Sequence, residues 1–430
     1  MTCHVKHNDP RIAAFELLTA VFQKRRRFDE ALAAQNNLLD LEPRDRALAR
    51  LLALTVMRRT GELDAMIAPM LRKPLRGKAA PVQNLLRLGA AQFVFLKTPA
   101  HAAVSTMVDA AAVTKNGPYK KFVNAVLRRL TREGAVPAND PGRQNTPDWL
   151  WNSWVRAYGA AQATAIAEAH LVEPPLDITV KFDPDRWAQQ LDAERLPTGS
   201  LRRTGGGDIR SLPGFVEGAW WVQDAAAALP VRLLGDVTGQ TVFDLCAAPG
   251  GKTAQLAAAG ANVFAIDNDP TRLELVRENL QRLGLNAQRV TADATRWSPP
   301  QTADAILLDA PCTATGTIRR RPDIARHRTP DDVARLANLQ SALLDHAAAM
   351  LRPGGLLVYA TCSLQPEEGP DRIAALRNDG APFESVPIQP NEVCGLESAI
   401  TQDGNLRTLP SFWADRGGLD GFFIARLRRT

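Results

Sequence analysis

Cysteine is scarce in this chain. There are five in 430 residues: Cys3, Cys246, Cys312, Cys362 and Cys394. The number is odd and the spacings are long, which excludes a disulfide framework and a thiolate metal site. The histidines (His4, His7, His101, His170, His327 and His346) are scattered, and no Ser/His/Asp or metal-ligating arrangement competes with the cysteines. No metal is expected. No apolar run reaches membrane-spanning length, and the opening MTCHVKHNDPR has no apolar signal core. A cytoplasmic protein without a membrane partner is therefore expected. Internal repeats are absent. So is the phosphate-binding pattern G-x-G-x-x-G. Gly251-Lys252-Thr253 mimics the end of G-x-x-x-x-G-K-[ST] but lacks the upstream glycine at the right spacing.

What is present is enough apolar residue, 45%, to bury two or three domains in a chain of this length. From about Ala225 onward, strand and helix patterns alternate, as in a doubly wound parallel sheet. The strand candidates are TVFDLC, NVFAID, QRVTAD, AILLDAP, GLLVYATC and GFFIARL. Two of these runs end in a cysteine: AILLDAPC at Cys312 and GLLVYATC at Cys362. Open parallel sheets bind ligands at the carboxyl ends of their strands, so two thiols delivered to one rim imply sulfur chemistry on a substrate. A third strand opens TVFDLCAAPGGKT, a strand, a Gly-rich turn and a helix start. Gly250 and Gly251 let the backbone approach a ligand closely. VFAIDND then places Asp267 where it would accept hydrogen bonds from ribose hydroxyls. A nucleoside site without a phosphate fingerprint points to S-adenosylmethionine.

CAAPGGKT, AIDNDPTRLELVRENLQRLG, LLDAPCTATGTIRRRPDI, LRPGGLLVYATCSLQPEE and the closing DGFFIARL together span the last half of the chain. In these motifs, their order and their spacing, the chain resembles the RsmB/NOP family of RNA (cytosine-5) methyltransferases. The resemblance implies an α/β fold: a Rossmann-like class I methyltransferase domain preceded by an all-α NusB-like domain and a small α+β subdomain. It implies S-adenosylmethionine as methyl donor and 16S ribosomal RNA as substrate. No obligate protein partner is evident, and a monomer is expected.

Carbon 5 of cytosine is a poor nucleophile. A thiolate must first add to carbon 6; after methyl transfer the carbon 5 proton must leave and the thiolate must be eliminated. By resemblance Cys362, beside Thr361, is the covalent nucleophile. Cys312, beside Pro311, resolves the adduct and takes part in proton removal. Asp309 would contact the cytosine amino edge and the methyl-donor end, a pairing of the right polarity. Cys246, Ala247, Ala248, Pro249, Gly250, Gly251 and Lys252 would line the methionine and ribose part of the cofactor. Asp267 would hold the ribose, and Asp293 would sit by the adenine amino group. Cys246 also reads as a packing residue on a buried strand. Asp244 either orients the Gly-rich loop or meets the methionine amino group, and Lys252 either reaches substrate or caps the loop. The family often has Ser-Gly after the Pro-Cys cysteine. Here Thr313-Ala314 stand there, and a tolerant loop is expected. Arg319, Arg320, Arg321, Arg326, His327 and Arg328 form a basic cluster suited to RNA phosphates, or to pairing with Asp323, Asp331 or Asp332.

Charge divides the chain. Residues 1 to 150 carry 24 Lys and Arg against 13 Asp and Glu, and the remainder carries 28 against 33. That suggests an RNA-gripping module joined to an enzyme, or solvated helix faces. The first part reads as helical, with stretches at 11–23, 44–59, 82–96, 101–113 and 119–130 and breaks at Gly61, Pro74, Pro81, Pro99 and Gly117-Pro118. Its KKFVNAVLRRL resembles the NusB-like domain that precedes the catalytic part in the family. The expected domains are an all-α RNA-binding domain at 1–135, a Pro/Gly/Asn-rich linker at 136–147, an α+β subdomain at 148–224 and a catalytic domain at 225–430. Trp149, Trp151 and Trp154 fit either core packing or RNA stacking. Two other readings carry different tests. A DNA cytosine-5 methyltransferase would use the Pro-Cys thiol as nucleophile, and a non-catalytic RNA-binding or assembly factor with a relic methylase fold would not bind S-adenosylmethionine.

Overall fold

The computed structural model describes residues 9–35, 38, 40–134 and 138–430. Cys3 lies outside them. The chain forms two compact units. One holds residues 1–152, 163–171 and 320–327; the other holds 153–162, 172–319 and 328–430.

The first unit is helical. Helices at Pro10–Phe22, Pro43–Arg58, Val82–Val94, Ala100–Val113 and Lys120–Glu133 match the five periodic stretches. Their apolar faces meet in one core that includes Leu17, Leu18, Leu52, Leu85, Met107 and Leu127. Asp9 caps the first helix by accepting from the Arg11 amide, and Pro10 and Pro43 open their helices. Gly61 does not break the chain. It lies in a further helix, Thr60–Ile67. A Cβ there would stand 1.9 Å from the Gln144 carbonyl oxygen, so glycine serves close backbone approach. What approaches is the expected linker. Pro141–Asn145 is a short helix capped by Asp140. The buried Asn145 amide accepts from Gly61 N and Glu62 N at 2.9 and 3.2 Å and donates to Glu62 Oε2 at 2.7 Å. The polar residues that suggested a linker are the caps of a docked turn.

The second unit contains two sheets. The smaller has strands β1 (Leu176–Val180), β2 (Glu194–Arg195), β3 (Leu201–Arg203) and β4 (Trp220–Val222), antiparallel in the order β2-β3-β1-β4. The larger comprises β5 (Thr241–Leu245), β6 (Asn262–Asp267), β7 (Gln288–Thr291), β8 (Ala303–Asp309), β9 (Leu351–Thr361), β10 (Phe383–Ser385), β11 (Leu406–Arg407) and β12 (Phe423–Arg429). Its order is β10-β12-β9-β8-β5-β6-β7, with β11 also pairing β12. Strands β5 to β9 are mutually parallel, and β12 runs antiparallel to β9. All six predicted strands of this half are therefore present. Phe243, Ile306, Leu308, Leu357 and Tyr359 are buried in one core, and the intervening Val242, Leu307 and Val358 in another on the opposite face, which is why these runs read as apolar rather than alternating. Strand β5 pairs with β6 on one side and β8 on the other, so the order reverses there. That is where a parallel sheet leaves a crevice at its carboxyl rim.

The two sheets are held together by buried ion pairs. Within the smaller sheet Arg202 forks onto both Asp177 oxygens at 2.7 Å, and its Nη1 reaches out of that sheet to donate to Gly418 O at 2.8 Å. Arg319 bonds Asp224 and, at 2.9 Å, Asp420, and all three side chains are at most 1% exposed. Trp154 is fully buried, as the core reading has it, while Trp149 and Trp151 are half-buried.

Candidate active site

Strand β5 ends at Leu245, and Cys246 follows with φ +63°, in the left-handed region rather than on the strand. Burial, then the Asp267 carboxylate, push its thiol far above the ordinary range. Gly250 has φ +99°, and a Cβ there would lie 3.1 Å from Val276 Cγ1. Gly251 opens the helix Gly251–Ala258, and its Cβ would meet nothing nearer than 3.9 Å. Protein packing does not demand glycine at 251, which fits a backbone kept bare for a ligand.

Two carboxylates support this loop. Asp267, at the end of β6, accepts from Ala248 N and Asp269 N, both at 3.1 Å, and is nearly fully buried. Asp244 is fully buried on β5. Its Oδ2 accepts from Thr253 Oγ1 at 2.5 Å, while Oδ1 has no partner. Burial raises its pKa to about 7. The Thr253 bond orients the helix after the loop, and the orphaned oxygen is what a cationic amino group would satisfy. This observation makes the site fit the methionine end of S-adenosylmethionine. Asp293 lies two residues past β7. Its Oδ1 accepts from Thr295 N and Oγ1 at 3.0 and 2.7 Å, bonds that hold its pKa below the usual range.

The thiols meet. Asp309 pairs in register with Ala360, so β8 and β9 end side by side. Pro311 follows β8, and Gly316 N donates to Cys362 O at 2.9 Å. Cys312 Sγ and Cys362 Sγ stand 3.4 Å apart. The hydrogen bond to Cys362, then burial, push the Cys312 thiol well above its ordinary value. Beside them Lys252 Nζ donates to Asp309 Oδ2 at 2.8 Å. Burial opposes the Lys252 charge, but Asp309, with smaller contributions from Cys362 and Asp244, leaves the ammonium's pKa raised. Lys252 also interacts electrostatically with Cys362 and lies 5.3 Å from the Phe422 ring centre. Lys252 thus reaches into the cysteine site and does not merely cap the loop. Exposed Cys394 is not part of it.

Sequence reasoning misses the groups around the thiols. Glu368 is fully buried and accepts from Thr313 N (2.9 Å), Thr313 Oγ1, Ser363 Oγ (2.5 Å) and Gln340 Nε2 (3.1 Å). Arg328 donates to Thr313 O at 3.2 Å and Cys312 O at 3.4 Å. Nothing in LQPEEGP marks Glu368, since an acidic pair before a helix reads as an ordinary first turn.

Two expectations are corrected. Ala314 has φ +60° and ψ +24°, the region that favours glycine, so this loop is strained at alanine and not tolerant. The basic cluster is not a free phosphate site. Arg319 is buried between Asp224 and Asp420, and Arg321 pairs with Asp29 at 3.2 Å. Arg326 bonds Asn145 O at 2.9 Å, and His327 Nε2 bonds Val21 O at 3.0 Å. Arg320 is also engaged within the chain. Of the acidic partners offered for these arginines, Asp323 accepts from Phe28 N at 3.0 Å, while Asp332 does meet Arg328, at 3.9 Å. Charge spacing along the sequence does not show which cations the fold has already neutralised.

Together the sheet order, the bare Gly-rich turn at the switch point and the thiols at its rim define a methyltransferase on a Rossmann-like sheet. Comparison with known proteins narrows the class. Residues 231–428 match the family model "16S rRNA methyltransferase RsmB/F", and residues 8–132 match the NusB family. The chain is 38% identical to ribosomal RNA small subunit methyltransferase B of Pseudomonas syringae pv. tomato, covering 97% of this chain and 96% of the relative. It is 37% identical to the protein of the same name from Vibrio cholerae, covering 88% and 92%. The fold of PH0851 superposes with a TM-score of 0.79 at 22% identity, over 98% of this chain and 99% of that one. A methyltransferase homolog protein from Pyrococcus horikoshii gives 0.55 at 31% identity, over 65% and 94%. The chain belongs to the RsmB/F family of S-adenosylmethionine-dependent methyltransferases. Among the described residues no helix is long and apolar enough to cross a membrane.

Proposed function

We propose that this protein transfers a methyl group from S-adenosylmethionine to carbon 5 of a cytosine in 16S ribosomal RNA. The observation that carries the reading is the 3.4 Å approach of Cys312 and Cys362 beside the Lys252–Asp309 pair. One thiol adding to carbon 6 leaves the other next to the same base. Cys362 forms the carbon–sulfur bond, which makes carbon 5 enamine-like. Bound S-adenosylmethionine supplies the electrophilic methyl group. After methyl transfer Cys312, its own proton passed to solvent, accepts the carbon 5 proton; the electrons of that bond re-form the ring double bond and expel Cys362 as its thiolate. Asp309 accepts from the cytosine amino group, with Lys252 fixing its carboxylate. Residues 246–252 line the methionine and ribose region, the Asp267 carboxylate holds the ribose and Asp293 lies toward the adenine. The protein acts as a cytoplasmic monomer.

The helical part, residues 1–135, is the proposed RNA-gripping module, ahead of the segment 136–147, the α+β subdomain at 148–224 and the catalytic domain at 225–430. A groove of about 850 Å³ in it supports this: Arg72, Lys73 and Arg76 line it together with Tyr119 and Phe122, while Arg129, also in the lining, pairs with Glu133 at 2.8 Å. Cations and aromatic rings lining one groove suit single-stranded RNA.

The test uses Cys312→Ala with S-adenosylmethionine and protein-free 16S RNA, run beside the unaltered protein and Cys362→Ala. A denaturation-resistant protein–RNA band with Cys312→Ala alone is expected. Absence of that band while the unaltered protein methylates the RNA refutes the two cysteine roles. Absence of both refutes the substrate assignment.

A further inference from the structure

We propose that Glu368 is a positioning residue that holds the two cysteine loops in register and so sets the distance between the thiols. Its donors come from the cysteines' own neighbours. Thr313 follows Cys312 and gives both its amide and its hydroxyl; Ser363 follows Cys362 and gives its hydroxyl. Gln340 supplies the fourth bond, and the same Nε2 donates to Pro311 O at 2.8 Å, on the other side of Cys312. Four donors fill the acceptor positions of one carboxylate. The two hydroxyl oxygens are brought to 3.1 Å of each other, each giving its single hydrogen to the shared carboxylate. The Glu368 carbonyl oxygen accepts from Tyr359 Oη at 2.8 Å and Thr361 Oγ1 at 3.2 Å, which anchors the residue to β9.

A charge buried this deeply is costly, and burial outweighs the hydrogen bonds in raising the Glu368 pKa. Filling space alone would be done better by an apolar side chain. What an apolar side chain lacks is the ability to accept from both loops at once. Glu368 hydrogen-bonds neither Sγ; it holds the loops through Thr313, Ser363 and Gln340, while its charge is one of the causes that raise the Cys312 pKa, an effect that Thr313→Val, which keeps the charge, separates from positioning.

The proposal rests on the preceding reading only in requiring both thiols to act on one base, and its first readout does not depend on that reading. The rate at which diamide joins Cys312 to Cys362 is measured by mass spectrometry for the full chain and for Glu368→Gln, Thr313→Val and Thr313→Ser. Diamide takes up the two electrons and two protons that the thiols lose as the sulfur–sulfur bond forms. Glu368→Gln and Thr313→Val are expected to bind S-adenosylmethionine as the unaltered chain does, while cross-linking slows about tenfold. kcat should fall about 100-fold with KM for the cofactor unchanged. Thr313→Ser keeps the hydroxyl and should behave like the unaltered chain. A packing role predicts the reverse, because valine has the threonine's shape and serine does not. If Glu368→Gln does not fold, the Thr313 pair decides. Normal cross-linking in both Glu368→Gln and Thr313→Val, or impairment in Thr313→Ser but not Thr313→Val, overturns the proposal. Slower cross-linking in a protein that never methylates cytosine upholds the positioning role and refutes the function instead.

Discussion

Replacing Asp244 with asparagine should change how stability depends on pH. In the folded chain the Asp244 carboxyl is fully buried, and burial raises its pKa from 3.8 to about 7. In the unfolded chain it ionises near the ordinary value. A pKa raised by folding contributes stability in full below about pH 4. That contribution then declines and is gone above about pH 7. Within this window the folded state holds a proton that the unfolded state has released, so stability falls by about 1.4 kcal/mol per pH unit. Across roughly three pH units the total is about 4 kcal/mol. Asparagine keeps an acceptor for Thr253 Oγ1 but has no proton to lose. Urea unfolding of both proteins from pH 4.5 to pH 8 isolates Asp244 and the charges coupled to it, Asp309, Lys252 and Asp267, because groups that do not interact with it cancel in the difference. The difference should move by about 3 kcal/mol in favour of the variant between the ends of that range, then level off above pH 7. A difference that stays flat with pH refutes the assignment of a raised pKa to Asp244.

Ala314→Gly should stabilise the protein by about 1 kcal/mol, read as a higher unfolding temperature, because it relieves a left-handed alanine. Arg319→Met should cost about 3–5 kcal/mol in urea unfolding, since it leaves Asp224 and Asp420 buried without their cation. The triple variant Arg319→Met, Asp224→Asn, Asp420→Asn should recover most of that loss, and failure to recover it would mean that packing rather than charge sets the cost.

The strands of the catalytic half and the five long helices of the first part were readable from the chain because periodicity is local. An apolar run such as AILLD or GLLVYAT needs little context to read as a buried parallel strand. The two cysteines could be placed at strand ends for the same reason, and CAAPGG could be read as a strand, a Gly-rich turn and a helix start. Strand order is not local. Only the fold sets β8 beside β9 and so brings Cys312 to 3.4 Å from Cys362. Burial is not local either. Arg319 reads as a surface cation in GTIRRRPD, yet the fold neutralises it with Asp224 and Asp420, about a hundred residues away on either side. Gly61 reads as a breaker until Gln144 is seen packed against it. Glu368 reads as an exposed helix start until four donors from three segments converge on it. Backbone periodicity and residue type follow from neighbours along the chain and decide the elements, the motifs and the residues able to carry the chemistry. Desolvation and hydrogen-bond partnership depend on neighbours in space. They decide which of those residues share a site and which charges are already spent holding the fold.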